Sequence, residues 1–196
     1  MSSTLWYFAR SAGILAYLLL SSSAVLGLVM SARARTSWPR FAVEEVHRFL
    51  AILTGVFVAL HGLTLLLDRV VPLSLAQAIV PFTSTYRPFA VGLGVLSAEL
   101  LAAVGVSNLL RKKIPHRLWR RIHYLTFAVW LGATAHGLLA GTDRQDPWLV
   151  ALMGLSVCSV ALASLSRFAK AAEAGAVVLT GTTAAVAVLA LAFSPA

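Results

Sequence analysis

Four of the five histidines in this chain stand in two long apolar stretches. His47 and His61 lie fourteen residues apart in the first of these stretches, and His123 and His136 lie thirteen residues apart in the second. Ionisable side chains are rare inside membrane helices and usually mark a functional site there. Imidazole is also a standard axial ligand of heme iron. Residue type and spacing therefore point to heme binding within a membrane.

The composition indicates an integral membrane protein. Of the 196 residues, 59% are hydrophobic and 12% are charged, and the mean hydropathy is +0.85. Soluble domains carry about 25% charged residues. We expect one domain over residues 1–196, with no room for a flavin- or nicotinamide-binding module, so such chemistry would come from a partner. The lone Cys158 cannot form an intramolecular disulfide.

Six apolar stretches are long enough to cross a bilayer, which takes about 20 residues of helix. The sequence therefore predicts an all-α bundle of six transmembrane helices. The first stretch lacks the basic start of a secretory signal and is longer than the apolar part of one, so we expect it to be retained. The predicted spans are residues 5–30, 41–67, 87–110, 117–140, 148–165 and 172–193.

Positive charge is concentrated in the loops after the first, third and fifth spans, which hold twelve of the sixteen Lys and Arg residues. The positive-inside rule places these loops in the cytoplasm and both termini on the outer face. Lipid headgroups and orientation thus account for the net charge of +9, and we expect no nucleic-acid partner. The twelve residues are Arg33, Arg35, Arg40, Arg48, Arg111, Lys112, Lys113, Arg117, Arg120, Arg121, Arg167 and Lys170.

The histidines fall at two matching depths. The second and fourth spans are separated by one span and so run parallel, which places His47 and His123 near the cytoplasmic side and His61 and His136 near the outer side. The two levels are about 20 Å apart at the helical rise per residue. One histidine from each helix at one depth can ligate a heme iron from both sides. Two levels would give two stacked hemes and an electron route across the membrane.

The rotation of the histidines about their helices differs between the two spans. Fourteen residues fall about 40° short of four full turns, so His47 and His61 share a face. Thirteen residues fall about 140° short, so His123 and His136 would not share one on an ideal helix. A kink or bulge near Gly132 would correct part of this. Alternatively, the two cofactors enter at different angles.

Further side chains are assigned on the same grounds. Heme propionates need cationic or hydrogen-bonding partners, and we predict Arg48 at the inner level and Arg10 at the outer level. The second nitrogen of each ligating imidazole can donate to a backbone carbonyl one turn away.

Glu99, in the third span, is expected to be protonated or bonded to a neighbouring helix, with a proton relay or quinol contact as the alternative. His116 is interpreted as a solvated loop residue.

The pattern resembles the ferric reductase-like transmembrane superfamily, which includes the membrane cores of NADPH oxidases, iron reductases and the heme subunit of bacterial periplasmic methionine sulfoxide reductase systems. The matching segments are HRFLAILTGVFVALH, from His47 to His61, and HYLTFAVWLGATAH, from His123 to His136. RLWRRIHYL and AHGLLAG also look like that family. The similarity covers the first four or five spans.

The resemblance implies two b-type hemes, one held by His47 with His123 and one by His61 with His136. It implies a multi-pass protein of the bacterial plasma (inner) membrane that passes electrons outward. The donor would be a separate flavoprotein reductase or membrane quinol, and the acceptor ferric iron, oxygen or a redox protein. The chain would then be an electron-transfer subunit of an oxidoreductase, and no side chain is assigned a catalytic role.

Two other functions fit the same sequence. A small transporter or scaffold could use histidines as hydrogen-bonding core residues, although four at two matched levels favour ligation. A subunit with a single heme that oxidises quinol is also consistent with one occupied level.

Overall fold

The described part of the chain is helical, and no strand occurs within it. The computed structural model describes residues 2–32, 38–68, 73–142 and 145–168. In chain order its helices are α1 Ser2–Ser31, α2 Arg40–Leu67, α3 Leu75–Ile79, α4 Pro88–Leu109, α5 His116–Tyr124, α6 Thr126–Ala140 and α7 Pro147–Phe168.

Prolines mark where four of these helices begin. Pro88 and Pro147 are the first residues of α4 and α7, while Pro39 and Pro115 immediately precede α2 and α5. Proline suits the start of a helix because its fixed φ is already helical and its missing N–H has no partner to lose there. The loop residue Arg87, just before α4, has a φ of 40°, which is the left-handed region.

Within the described residues, four helices are long and apolar enough to cross a membrane, namely Thr4–Ser31, Arg40–Leu67, Pro88–Leu109 and Pro147–Leu165. They correspond to the first, second, third and fifth predicted spans, so the helical membrane character is confirmed. The predicted sixth span, residues 172–193, lies outside the described residues. The count of six and the placement of both termini on the outer face stay predictions.

The fourth predicted span is not one helix but two, α5 and α6, which are separated at Leu125. The N–H of Leu125 donates to the carbonyl of Ile122 at 2.9 Å, three residues back instead of four. The hydroxyl of Thr126 donates to the carbonyl of His123 at 2.7 Å. This tightened turn lies between the two histidines of the span. The span is thus interrupted at Leu125, whereas α6 runs through Gly132, near which a kink or bulge was one of the two alternatives.

The chain divides into two compact units. One is formed by Met1–Tyr17 and Leu53–Arg144, and the other by Leu18–Ile52 and Gln145–Ala196. In the first unit α4 packs on α5 and α6, and a Cβ on Gly132 of α6 would run into the Ser97 hydroxyl of α4. Small residues allow this close approach between membrane helices.

Each unit has its own buried apolar residues. In the first unit Ala9, Ala90, Val129 and Trp130 are buried, and in the second Val25, Leu28, Leu152, Met153 and Ala163. Several buried hydroxyls bond within their own helices, as Ser97 does to the carbonyl of Leu93 at 2.7 Å. Such bonds satisfy polar groups where water is excluded.

Large apolar side chains are exposed along the long helices. On α2, Phe49, Ile52, Leu63 and Leu67 are each more than half exposed. Apolar surface of this extent suits lipid and not water. Glu99 is also exposed on α4, and no described residue hydrogen-bonds to it. The expectation that Glu99 is protonated or bonded to a neighbouring helix stays a prediction.

Candidate cofactor site

His61 of α2 and His136 of α6, the predicted outer pair, lie next to each other in the first unit. Their ring centroids are 6.2 Å apart and the ring planes are inclined by 79°. Both side chains are half-buried. The tertiary structure thus brings together two residues that are seventy-five positions apart in the sequence.

Both rings are fixed by a hydrogen bond from Nδ1 to a backbone carbonyl. Nδ1 of His61 donates to the carbonyl of Ala9 at 2.7 Å, and Nδ1 of His136 donates to that of Ala90 at 2.9 Å. A carbonyl can only accept, so the proton is on Nδ1 and the lone pair of each neutral ring is on Nε2. The expected carbonyl one turn away was wrong, because both acceptors belong to other helices, α1 and α4.

A glycine lies against each imidazole ring. It is four residues further along the same helix than the residue whose carbonyl accepts the hydrogen bond from that ring. A Cβ on Gly13 of α1 would lie 3.0 Å from Nδ1 of His61, and a Cβ on Gly94 of α4 would lie 2.6 Å from Nδ1 of His136. Residues four apart share one face of a helix. The carbonyl and the glycine therefore form one cradle that holds the imidazole.

The same cradle recurs around His47 in the second unit. Its Nδ1 lies 2.8 Å from the carbonyl and 3.1 Å from the hydroxyl oxygen of Ser23. A Cβ on Gly27 would lie 3.3 Å from Cε1 of His47. Three of the four predicted ligands are thus held in one way, each by a carbonyl on another helix and a glycine one turn further on.

The sequence interpretation missed these cradles, although a signal was present. Each is a small residue followed four positions later by glycine, a spacing typical of close helix contacts in membranes. The two copies on α1 are fourteen residues apart, the same spacing as the two histidines of α2. The three cradles are Ala9 with Gly13, Ser23 with Gly27, and Ala90 with Gly94.

His123, the fourth predicted ligand, lies in the last turn of α5 and belongs to the first unit. Its ring stacks on that of Trp119, with centroids 5.2 Å apart and planes inclined by 19°. His47 belongs to the second unit. The inner pairing of His47 with His123 therefore stays a prediction.

The predicted propionate partners lie at the surface or on aromatic rings. The side chain of Arg48 is 71% exposed and lies 3.6 Å from Glu45. The guanidinium of Arg10 lies 5.5 Å from the ring centre of Tyr7. The role of both arginines toward propionates stays a prediction.

An open cleft of about 340 Å³ adjoins the outer pair. Its lining includes Ala90, whose carbonyl binds His136, and Arg87, whose Nη1 donates to the carbonyl of Leu139 at 2.7 Å.

Asp68 follows α2 and lies seven residues past His61, close to the same helix face. Its side chain is buried, and its carboxylate accepts no hydrogen bond from any described residue.

The outer pair fits the axial ligands of one metal ion. With imidazole–metal bonds of about 2.0–2.1 Å and about 1.1 Å from nitrogen to ring centre, opposed rings have centroids about 6.2–6.4 Å apart. His61 and His136 match this at 6.2 Å. A ligating histidine usually donates its other N–H to a carboxylate or carbonyl, as both do here. No group of three or more His, Cys, Asp or Glu that could hold a metal ion occurs in the described ranges.

Comparisons with protein-family models, with curated proteins and with solved structures find no match to this chain. The case for heme therefore depends on the sequence motifs and on the geometry of the outer pair.

The cradle predicts graded effects of alanine at Gly13 and Gly27. In Gly13→Ala the added methyl would press on His61 at 3.0 Å, whereas in Gly27→Ala the nearest atom of His47 is 3.3 Å away. We expect Gly13→Ala to weaken heme binding at the outer level more than Gly27→Ala weakens it at the inner level. Heme content and potentiometric titration of each variant measure this.

Gly55→Ala is the matched control, because a Cβ there meets no atom within 4 Å. Equal losses in all three variants would contradict the cradle and indicate a general effect of replacing helical glycines.

Proposed function

We propose that this chain carries electrons across a bacterial plasma membrane through two b-type hemes. His61 and His136 would hold the outer heme, and His47 and His123 the inner one. The observation that carries the proposal is the outer pair, two imidazoles whose ring centroids lie 6.2 Å apart and whose Nδ1 atoms both donate to backbone carbonyls.

The chain's own part in this function is to orient ligands and exclude water. A bond from Nδ1 to a carbonyl selects the tautomer that has its lone pair on Nε2 and keeps the ring from rotating about its side chain. Neutral imidazoles also avoid burying charge inside the membrane. When bound, heme iron supplies a one-electron carrier at each level.

The direction of transfer follows from the proposed topology. With the cationic loops in the cytoplasm, a flavoprotein or quinol would reduce the inner level, and ferric iron, oxygen or a redox protein would be reduced at the outer face. The cleft lined by Ala90, whose carbonyl binds His136, supports the outer level as the point where electrons leave. Membership of the ferric reductase-like superfamily is part of this proposal and is supported by the histidine spacing.

The test is the heme content of the protein purified in detergent after expression with ample heme. We expect a reduced-minus-oxidised spectrum of b-type heme and about two hemes per chain, as two pairs of axial histidines require. A chain free of heme would remove the proposal and favour a transporter or scaffold. One heme per chain would restrict the proposal to a single pair of histidine ligands.

A further inference from the structure

Two hydrogen bonds join the start of α4 to the end of α6 in the first unit. Nδ1 of His136 donates to the carbonyl of Ala90 at 2.9 Å, and Nη1 of Arg87 donates to the carbonyl of Leu139 at 2.7 Å. Arg87 is three residues before Ala90, and His136 is three residues before Leu139. Each segment therefore gives one donor and one acceptor to the other. We call these two bonds the α4–α6 clasp.

Arg87 is attached to both helices. Its own carbonyl accepts a hydrogen bond from the N–H of Val91 at 3.0 Å, in the first turn of α4, while its side chain binds Leu139 of α6. Its φ of 40° is left-handed, a conformation that a residue with a side chain keeps only where its surroundings impose it. The guanidinium also lies 5.3 Å from the ring centre of Tyr86. The backbone and the side chain of Arg87 thus connect α4 to α6.

The acceptor on α6 is a carbonyl that its own helix leaves without a partner. Leu139 is the last residue but one of α6, and the last four carbonyls of a helix have no N–H one turn further on within it. A cation at this end is also favoured by the helix dipole, and a hydrogen bond from a charged donor is stronger than a neutral one. Arg87 therefore caps α6 and fastens α4 to it with one side chain.

His136 needs this attachment more than His61 does. Ala90, whose carbonyl binds His136, is the third residue of α4, and the first turn of a helix is where fraying begins. Ala9, whose carbonyl binds His61, lies two turns inside α1. The ring of His136 is thus held by a helix end that requires an anchor of its own.

We propose that Arg87 is a positioning residue for His136. Through the clasp it keeps the carbonyl of Ala90 within hydrogen-bonding distance of Nδ1, and so keeps the proton on Nδ1 and the lone pair on Nε2. This inference rests on the proposed function and deepens it, because it names a residue that orients an outer ligand without binding iron.

The test uses the full chain, free of heme, labelled with ¹⁵N-histidine and purified in detergent. An imidazole N–H that is hydrogen-bonded exchanges slowly with water, and NMR measures its exchange rate. The signals of His136 and His61 are identified as those that disappear when each is replaced by Gln. Since no heme is present, a change in exchange cannot come from lost contact with a propionate.

Three variants separate the side chain of Arg87 from its surroundings. Arg87→Gly removes the side chain and suits the left-handed backbone, so a loss there does not arise from strain. Arg87→Lys retains a cationic donor. Phe89→Ala is the matched control, because Phe89 lines the same cleft, is 64% exposed and takes no part in the clasp.

We expect Nδ1–H of His136 to exchange about tenfold faster or more in Arg87→Gly, as loss of a hydrogen bond from a charged donor implies. The rate should recover in part in Arg87→Lys and stay unchanged in Phe89→Ala. His61 should keep its slow exchange throughout. An unchanged rate at His136 in Arg87→Gly would overturn the proposal. Equal acceleration at His61 would also overturn it, because Arg87 would then stabilise the unit as a whole.

Heme titration of the same variants links the clasp to the cofactor. Affinity at the outer level should fall about tenfold in Arg87→Gly, the lower end of the range for loss of a ligand's hydrogen-bond partner, and by less in Arg87→Lys. Faster exchange at His136 with unchanged heme affinity would overturn the role toward the heme ligand. A chain that never binds heme would remove the proposed function, while the exchange rates would still decide whether Arg87 positions His136.

Discussion

Alanine at His61 or at His136 is expected to remove the outer heme and to leave the inner one, so that heme content falls from about two per chain to about one. The centroids of the two rings lie 6.2 Å apart, and one imidazole alone cannot supply both axial bonds to a heme iron. Heme assays on the purified variants, with potentiometric titration to separate the two components, measure this loss. His47→Ala should remove the other component.

Leu63→Ala is the control for these variants. Leu63 lies two residues from His61 on α2, and its side chain is 53% exposed, so its truncation should leave both hemes bound. Full occupancy of both hemes in His61→Ala or His136→Ala would show that the outer pair does not ligate iron.

Gly94→Ala is expected to remove the outer heme although residue 94 is not a ligand. The added Cβ would lie 2.6 Å from Nδ1 of His136, so the ring must turn away from the carbonyl of Ala90 or α4 must move away from α6. Overpacking of this kind costs about 1–3 kcal/mol. Loss of a partner of the ligand lowers metal affinity by about 10–100-fold. Heme retention during gel filtration and spectral titration with added heme quantify the loss.

Gly105→Ala, on the same helix, is the matched control because its Cβ would meet no atom within 4 Å. Alanine there should keep both hemes and favour the helix by about 0.5–1 kcal/mol. A double-mutant cycle with His136→Ala makes the test stricter, since the effect of Gly94→Ala on heme should vanish once His136 is absent. If Gly94→Ala still lowered heme binding in the double variant, the loss would not be caused by contact between residue 94 and the ring of His136.

Much of the helical framework is contained in the sequence alone. Length and hydropathy predict α1, α2, α4 and α7, because a membrane helix must satisfy its backbone internally and cover itself with apolar side chains. The prolines also indicate where four helices start, because the fixed φ of proline suits the first turn of a helix whatever the rest of the fold. Chain order and helical rise also predict the pairing of His61 with His136, whose rings the structure brings to within 6.2 Å of each other.

Contacts between helices could not be predicted in this way. The break at Leu125 depends on a turn that closes three residues back, and nothing in the apolar pattern of residues 117–140 distinguishes that turn from a continuous helix. The carbonyls that bind the imidazoles belong to Ala9, Ser23 and Ala90, and each lies on a different helix from its histidine.

The sequence by itself determined that α1, α2, α4 and α7 are long apolar helices, because length and hydropathy act within a single helix. Only the tertiary structure decided which nitrogen of His61 and His136 carries the proton and which glycines admit the rings. Those choices depend on the distance between helices, which is set by small residues such as Gly13 and Gly94 on the facing surface and not by the helix that carries the histidine.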